Sequence, residues 1–285
     1  MSVHQVGYDR NVDELVSAMA AWEPAGGHVA GLHVGDVGWH QRLPAEEYDD
    51  TVLGWWRDGR LVAAALIEGP AARPRIAPGS LDDPEVCGAL ADVLDALPAA
   101  EVWSDAQPGS LLRTLLVARG WQLDPDLWVA LHVDLTRVQV PTVAGVDETG
   151  HDIDDRVTVQ RNGFEGSTFT AEAWQRMASG PAFDPALDLV ARDEDGTPVA
   201  GATAWSAGPG RCGVLEPVAT HRDHRGRGHG RRIVRAALAR LQRAGASGAG
   251  VCTPGTNTAA NGLYASAGMR PVETLQALTR RRKDP

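Results

Sequence analysis

Apolar side chains recur at helical spacing in the stretch that follows a glycine-rich segment, and this pattern predicts a helix over residues 231–244. These apolar positions are Ile233, Val234, Ala237, Leu238 and Leu241. Arginines occupy most of the opposite face. Residues 211–220 read as a strand that runs into the glycines, and residues 249–253 read as the next strand. The order strand, glycine loop, helix, strand predicts a parallel crossover within a mixed sheet.

Similar patterns predict the other elements of this part of the chain. They are helices over 154–164, 171–178 (after a cap at Thr170) and 258–266, a hairpin of strands 187–191 and 199–205, and a last strand over 276–280.

The earlier part of the chain gives a weaker pattern. It predicts strands over 29–34, 61–67, 102–103 and 128–135, and helices over 84–97 and 111–119. The order helix, strand, helix, glycine with a large apolar residue, strand occurs twice, once ending near Gly120 and once near Gly268. An internal duplication is one interpretation, and coincidence between two ordinary αβ units is the other. A segment with a proline and a glycine at 138–145 separates two predicted domains, 1–138 and 139–285.

Composition and charge narrow the classes of function. The 285 residues carry a net charge of −10. Residues 1–140 hold 9 basic and 21 acidic side chains, whereas residues 141–285 hold 18 and 16. Eight arginines and one acid lie within 222–243. A positive field this local suits a small anion better than a nucleic acid, so we expect no nucleic-acid partner. A solvated basic helix face is the alternative.

Membrane and secretory segments are not predicted. No apolar run approaches the roughly 20 residues needed to span a bilayer, and the first residues lack the apolar core of a signal peptide. The three cysteines, Cys87, Cys212 and Cys252, are expected to be buried thiols in a reducing compartment. We therefore expect a cytoplasmic protein without a membrane partner, and a homodimer is left open.

The segment Arg225-Gly226-Arg227-Gly228-His229-Gly230 is the most specific feature of the sequence. Its glycines allow the backbone to turn a row of N–H groups to one side. Such a row, backed by a helix N-terminus, suits a phosphate or pyrophosphate.

Residues 215–230 resemble the acetyl-CoA-binding motif of the GNAT N-acetyltransferase superfamily, Gln/Arg-x-x-Gly-x-Gly/Ala. A second family motif, Asn-x-x-Ala-x-x-Leu-Tyr followed by Gly-Phe, is matched from Asn257 to Met269. Two departures are Arg222, where the family often has proline, and Met269, where it has phenylalanine. The first part has no glycine loop, and acids at 82–85 would repel a pyrophosphate there.

The resemblance implies two tandem GNAT-like domains, each a mostly antiparallel sheet flanked by helices, with a degenerate first repeat and a catalytic second one. The expected fold class is α/β with a mixed sheet. The co-substrate implied is acetyl-CoA, without a metal, and Val218 and Thr220 would offer main-chain groups to its pantetheine. Residues implied to contact it are Val218, Thr220, Arg225, Gly226, Arg227, Gly228, His229, Gly230, Arg231 and Asn257.

Two side chains are candidates for proton transfer. Glu216 lies on the strand face of Val218 and Thr220, and is predicted either to be the base that deprotonates an ammonium or to be a structural carboxylate. Tyr264, at the family's usual general-acid position, is predicted to protonate the departing thiolate; the alternative is a tyrosine at the core edge. Three histidines at 221, 224 and 229 are not spaced for a closed zinc site.

The sequence thus predicts an N-acetyltransferase that moves an acetyl group from acetyl-CoA to a primary amine of a small molecule. A non-catalytic acyl-CoA sensor and an interaction protein are the alternatives. Residues 32–40 are a candidate wall of the acceptor pocket, and Asp36, Glu46 and Glu47 are candidate acids for a cationic amine.

Overall fold

The computed structural model describes residues 3–7, 12–24, 27, 31–48 and 51–282. Within them the helices are α1 (Val12–Trp22), α2 (Val34–His40), α3 (Ala45–Tyr48), α4 (Pro84–Ala96), α5 (Leu111–Ala118), α6 (Ile153–Gly163), α7 (Ala171–Ala178), α8 (His229–Arg243) and α9 (Thr258–Ser266). The strands are β1 (His4–Gly7), β2 (Val52–Arg57), β3 (Arg60–Glu68), β4 (Ala71–Ile76), β5 (Glu101–Ser104), β6 (Gln122–Asp134), β7 (Val146–Glu148), β8 (Asp188–Arg192), β9 (Pro198–Trp205), β10 (Cys212–Thr220), β11 (Gly248–Pro254) and β12 (Arg270–Arg281).

The strands form one sheet in the order β1-β2-β3-β4-β5-β12-β6-β11-β10-β9-β8-β7. Two neighbouring pairs are parallel, β4 with β5 and β10 with β11. Helix α4 connects the first pair and helix α8 the second. The two parts of the chain therefore share one topology, four antiparallel strands followed by a helical crossover to a parallel strand. This confirms the expected mixed α/β class with a mostly antiparallel arrangement flanked by helices, although the strands of the two parts are joined in one continuous sheet.

The last strand of each part lies beside the other part. The second part of β6, from Trp128 to Asp134, pairs with β11, and β12 pairs with β5. Strands β6 and β12 also pair with each other at the centre of the sheet. The two parts are therefore joined by exchanged strands, and the predicted boundary at 138/139 stays a prediction. We refer to residues 1–138 as the first half and to residues 139–285 as the second half.

Each half has its own hydrophobic core. In the second half, the apolar face of α8 packs on the sheet through Ile233, Val234 and Leu238, which are all buried. In the first half, α4 and α5 enclose a core around Leu90 and Leu112. The apolar periodicity of α8 thus has the predicted function of covering the sheet.

Prediction and structure agree best in the second half. Helices α7 and α9 have the predicted bounds, and the Thr170 hydroxyl caps α7 by accepting a hydrogen bond from Ala173 N at 3.2 Å. The strand predicted over 29–34 is wrong for its described residues, because Val34 begins helix α2; positions 29 and 30 lie outside the described residues. The expectation that all three cysteines are buried is wrong for Cys252, which is exposed.

Helix α4, the first-half counterpart of α8, begins differently. The Asp83 carboxylate accepts hydrogen bonds from the main-chain N–H groups of Glu85 and Val86, at 3.0 and 3.1 Å. Pro84 contributes no N–H to this first turn. The helix N-terminus is thus occupied by a carboxylate of the chain itself, which is consistent with a degenerate first repeat.

Candidate active site

The glycine loop leads into α8 through two residues in the left-handed conformation. Gly226 has φ of 76° and Gly228, the N-cap residue of α8, has φ of 85°. An added Cβ at either position would meet no atom within 4 Å, so the backbone angle and not space requires glycine there. No side chain of the described residues caps α8. The N–H groups of its first turn, from His229 to Arg231, are therefore available to an anion.

Gly230 is required for a different reason. An added Cβ would lie 3.0 Å from the Thr220 Oγ1 atom and 3.1 Å from a Leu263 methyl group. The first turn of α8 therefore packs directly on the end of β10 and on α9. This contact places the loop next to the strand that carries Glu216, Val218 and Thr220.

The arginines of the loop divide into two groups. Arg225 donates to the carbonyl of Gly163 at 2.6 Å, and Arg232 donates to the carbonyl of Arg192, so these side chains hold the loop and helix in place. Arg227 and Arg231 are exposed. The cationic side chains free to reach a phosphate are thus Arg227 and Arg231, while a binding role of the Arg225 side chain stays a prediction.

Strands β10 and β11 diverge beside this loop. Their parallel pairing ends at Val214 and Gly250, although β10 continues to Thr220 and β11 to Pro254. The register of β10 against β9 also shifts after Leu215, where a bulge contains Glu216 and Pro217. The bulge and the divergence leave an edge of β10 to which an extended ligand can add in the manner of a strand.

Glu216, Val218 and Thr220 are half-buried and alternate with the buried residues Pro217 and Ala219. This alternating burial agrees with the predicted common face, which stays a prediction because Glu216 lies in the bulge. Burial and the neighbouring Asp36 carboxylate raise the pKa of Glu216 well above its ordinary value.

Helix α9 contributes the second motif. Its N-cap residue is Asn257, whose side-chain oxygen accepts a hydrogen bond from Ala260 N at 3.0 Å. Tyr264 is buried on the side of α9 that faces the second-half core. Burial and the charge of Glu216 raise the pKa of Tyr264 to about 12, so its phenol stays protonated at neutral pH. Asn257 has a structural role as a helix cap, and its contact with a cofactor stays a prediction.

The first half also supplies residues to this region. Asp36 on α2 is buried and accepts hydrogen bonds from Arg73 Nη1 at 2.7 Å and from His33 N at 2.6 Å. The Nε atom of Arg73 also donates to the carboxylate of Asp105, at 3.3 Å. Burial opposes ionisation of Asp36, but Arg73 and its hydrogen bonds lower its pKa to about 2. The sequence indicated Asp36 as part of a pocket wall; Arg73 was missed because strand β4 was not predicted.

Residues 155–269 match the sequence profile of the acetyltransferase (GNAT) family. This range contains the glycine loop, β10, β11 and α9 through Met269. Residues 155–269 form a GNAT acetyltransferase domain. The family is one of acyltransferases, and the resemblance based on two motifs is confirmed.

Solved structures show the same fold over the whole chain. A GCN5-related N-acetyltransferase from Sphaerobacter thermophilus is 18% identical, with 98% and 95% of the two chains covered and a TM-score of 0.56. A tandem GNAT protein from the clavulanic acid biosynthesis pathway is 15% identical, with 99% and 100% covered and a TM-score of 0.59. A GNAT-family acetyltransferase from Colwellia psychrerythraea is 13% identical, with 99% and 100% covered and a TM-score of 0.58. Curated protein sequences gave no significant match.

In the described part of the chain, no group of three or more histidine, cysteine, aspartate and glutamate side chains is placed to hold a metal ion. The rings of His221 and His224 lie 5.2 Å apart, and that of His229 lies 6.2 Å from His224. None of the described helices combines the length and apolar character needed to cross a bilayer.

Proposed function

We propose that this protein is an acetyl-CoA-dependent N-acetyltransferase whose acceptor is a primary amine of a small molecule. The observation that carries the proposal is the uncapped N-terminus of α8, which begins beside the diverging edge of β10. A diphosphate needs several N–H donors converging on one point, and a pantetheine chain needs an unpaired strand edge close by. The GNAT match over these same elements supports the assignment.

In this proposal the catalytic domain is 139–285 and the degenerate domain is 1–138. The N–H groups between Arg225 and Arg231 hold the pyrophosphate, and the edge at Val218 and Thr220 holds the pantetheine. Acetyl-CoA supplies an activated thioester. The residues of the protein must then bind the amine, remove its proton and protonate the departing thiolate.

Glu216 and Tyr264 each carry out one of these two proton transfers. An alkyl ammonium has a pKa near 10 and must lose a proton before its nitrogen can attack. Glu216 accepts that proton at its carboxylate oxygen, for which it must first be ionised. Tyr264 stays protonated to high pH and donates its phenolic proton to the thiolate. The pKa values of the two groups thus differ in the direction that their roles require.

A panel of amines tests the proposal. The protein is mixed with acetyl-CoA and each amine in turn, and the released thiol is detected with a chromogenic disulfide. Thiol release that depends on the amine, together with an acetylated product by mass spectrometry, is the expected result. Binding of acetyl-CoA without thiol release across the panel would instead identify a non-catalytic acyl-CoA sensor.

A further inference from the structure

Helix α2 of the first half is fixed against the catalytic half by a close glycine contact. An added Cβ at Gly35 would lie 2.4 Å from Trp205 Cγ, and one at Gly38 would lie 2.5 Å from Trp205 Cζ3. At its N-terminus, the His33 ring nitrogen Nδ1 accepts from Gly35 N at 2.9 Å. The other ring nitrogen, Nε2, lies 3.2 Å from the carbonyl of Cys212 on β10. Helix α2 is therefore held in a defined position on β9 and β10.

This contact leads directly to the candidate base. The Trp205 indole N–H donates to the main-chain carbonyl of Glu216 at 2.5 Å. Asp36 follows Gly35 on α2, and its carboxylate lies close enough to the Glu216 carboxyl group to hydrogen-bond with it when one of the two is protonated. Two carboxyl groups can be hydrogen-bonded to each other only when at least one of them carries a proton.

We propose that Asp36 is a positioning residue of the active site, which shares one proton with Glu216 so that the first half completes the proton-transfer site of the second. This inference rests on the proposed function. The proton resides on Glu216, because Asp36 is already stabilised as an anion by Arg73 Nη1 and by the main-chain N–H of His33.

The charged side chains around Glu216 come from three places in the chain. Asp36 on α2 and Arg73 on β4 face it, and Arg42 acts on it from the turn after α2. The titratable groups of Cys252 on β11 and Tyr264 on α9 also lie near it. Further out, Asp105 pairs with Arg73, Glu68 lies near Arg42 and His40, and His33 is held neutral by burial, which lowers its pKa to about 4. Asp36 disfavours ionisation of Glu216, while Arg73 and Arg42 favour it.

The consequence is a base that becomes competent only as the pH rises. Glu216 first releases its proton to solvent. It then accepts a proton from the bound ammonium, so that an N–H bond breaks, an O–H bond forms and a neutral amine remains. The ascending limb of the pH–rate profile therefore reports the loss of the shared proton.

Two substitutions that break the same ion pair should shift this limb in opposite directions. Asp36→Asn removes the negative neighbour of Glu216, so the titration of Glu216 moves to lower pH, by about one unit or more. Arg73→Gln removes the positive neighbour, so the titration moves to higher pH. A purely structural role of the Asp36–Arg73 pair would instead change both variants in the same direction. Glu14→Gln, which removes an exposed first-half acid on α1, is the matched control.

The test has a readout independent of turnover. The protein is labelled with ¹³C at glutamate side chains, Glu216 is assigned by the loss of its signal in Glu216→Gln, and the carboxyl carbon is titrated by NMR. We expect Glu216 to titrate above the ordinary glutamate range in the wild type and in Glu14→Gln, at lower pH in Asp36→Asn and at higher pH in Arg73→Gln. The thermal midpoint of each variant confirms folding, and Asp36→Ser, which also removes the charge, takes the place of Asp36→Asn in the comparison if Asp36→Asn does not fold.

The outcomes separate the two proposals. Unchanged Glu216 titration in Asp36→Asn, or shifts of the same sign in both variants, would overturn the inference even if the enzyme is active. Opposite shifts without any amine-dependent thiol release would leave the shared proton established and would contradict the proposed function.

Discussion

Replacement of Gly38 by alanine tests how tightly the first half is docked on the catalytic half. In an exposed helix interior, alanine in place of glycine stabilises by about 1 kcal/mol. At Gly38 the new Cβ would lie 2.5 Å from Trp205 Cζ3 and 3.0 Å from the Ala182 Cβ atom, whereas carbon atoms prefer about 3.5–4.0 Å. The indole must therefore move.

The magnitude follows from two opposed effects. Overpacking of this kind costs about 1–3 kcal/mol. Movement of the Trp205 indole also weakens its hydrogen bond to the Glu216 carbonyl, which is worth about 1 kcal/mol. After subtraction of the helix-propensity gain, we expect Gly38→Ala to lower the free energy of unfolding by about 1–3 kcal/mol.

Gly88 provides the matched control, because it also lies inside a helix, α4, but an added Cβ there meets no atom within 4 Å. Gly88→Ala should raise stability by about 1 kcal/mol. Urea denaturation followed by tryptophan fluorescence measures both variants. Equal stability of Gly38→Ala and Gly88→Ala would refute the reasoning, since it would mean that α2 is not packed against Trp205.

Three further predictions concern single side chains. Tyr264→Phe should reduce turnover in the thiol-release assay and leave acetyl-CoA affinity by calorimetry nearly intact; an unchanged rate would exclude Tyr264 as the acid. Asp188→Asn should cost about 3–5 kcal/mol in urea denaturation, because it leaves the buried cation of Arg156 uncompensated, while Asp154→Asn at an exposed position should cost little. Asp83 has a pKa lowered to about 2 by hydrogen bonds from an arginine and from main-chain N–H groups, so its stabilisation is complete above about pH 4 and is lost as the pH falls through 2. The stability difference between wild type and Asp83→Ser, which keeps the helix cap, should therefore shrink over this interval, and a constant difference would contradict the assignment.

The second half was predictable because local signals and tertiary structure agree there. The cap at Thr170, the apolar face of α8 and the glycines before it each specify one local conformation. Strand β12 was predicted only in part, over 276–280, although it runs from Arg270 to Arg281. Its remaining length is stabilised by pairing with β6, a long-range contact that has no local sequence signal.

Helix α2 shows the opposite case. It has seven residues, two of them glycines, and no helix was predicted there; only its first residue, Val34, fell within a predicted element, the strand over 29–34. The helix exists because Asp36 and His33 form a capping box and because the two glycines fit against Trp205. None of these contacts except the capping box is local. The glycines that lower helix propensity are the residues that permit the docking.

The candidate site was likewise predictable only where its residues lie on contiguous segments. Glu216, Tyr264 and the glycine loop followed from two motifs on contiguous segments. The pairing of Glu216 with Asp36, and of Asp36 with Arg73, joins residues more than 30 positions apart in the chain and depends on how the halves are docked. A sequence pattern cannot encode that geometry.

Isothermal titration calorimetry with acetyl-CoA tests the central claim, that the loop before α8 binds the pyrophosphate. The wild type and Gly88→Ala should bind one equivalent per chain. Gly228→Ala should bind about tenfold more weakly, because an alanine must be held at φ of 85°, which costs about 1–2 kcal/mol. An absence of binding heat in the wild type, or equal affinity in Gly228→Ala, would contradict the account.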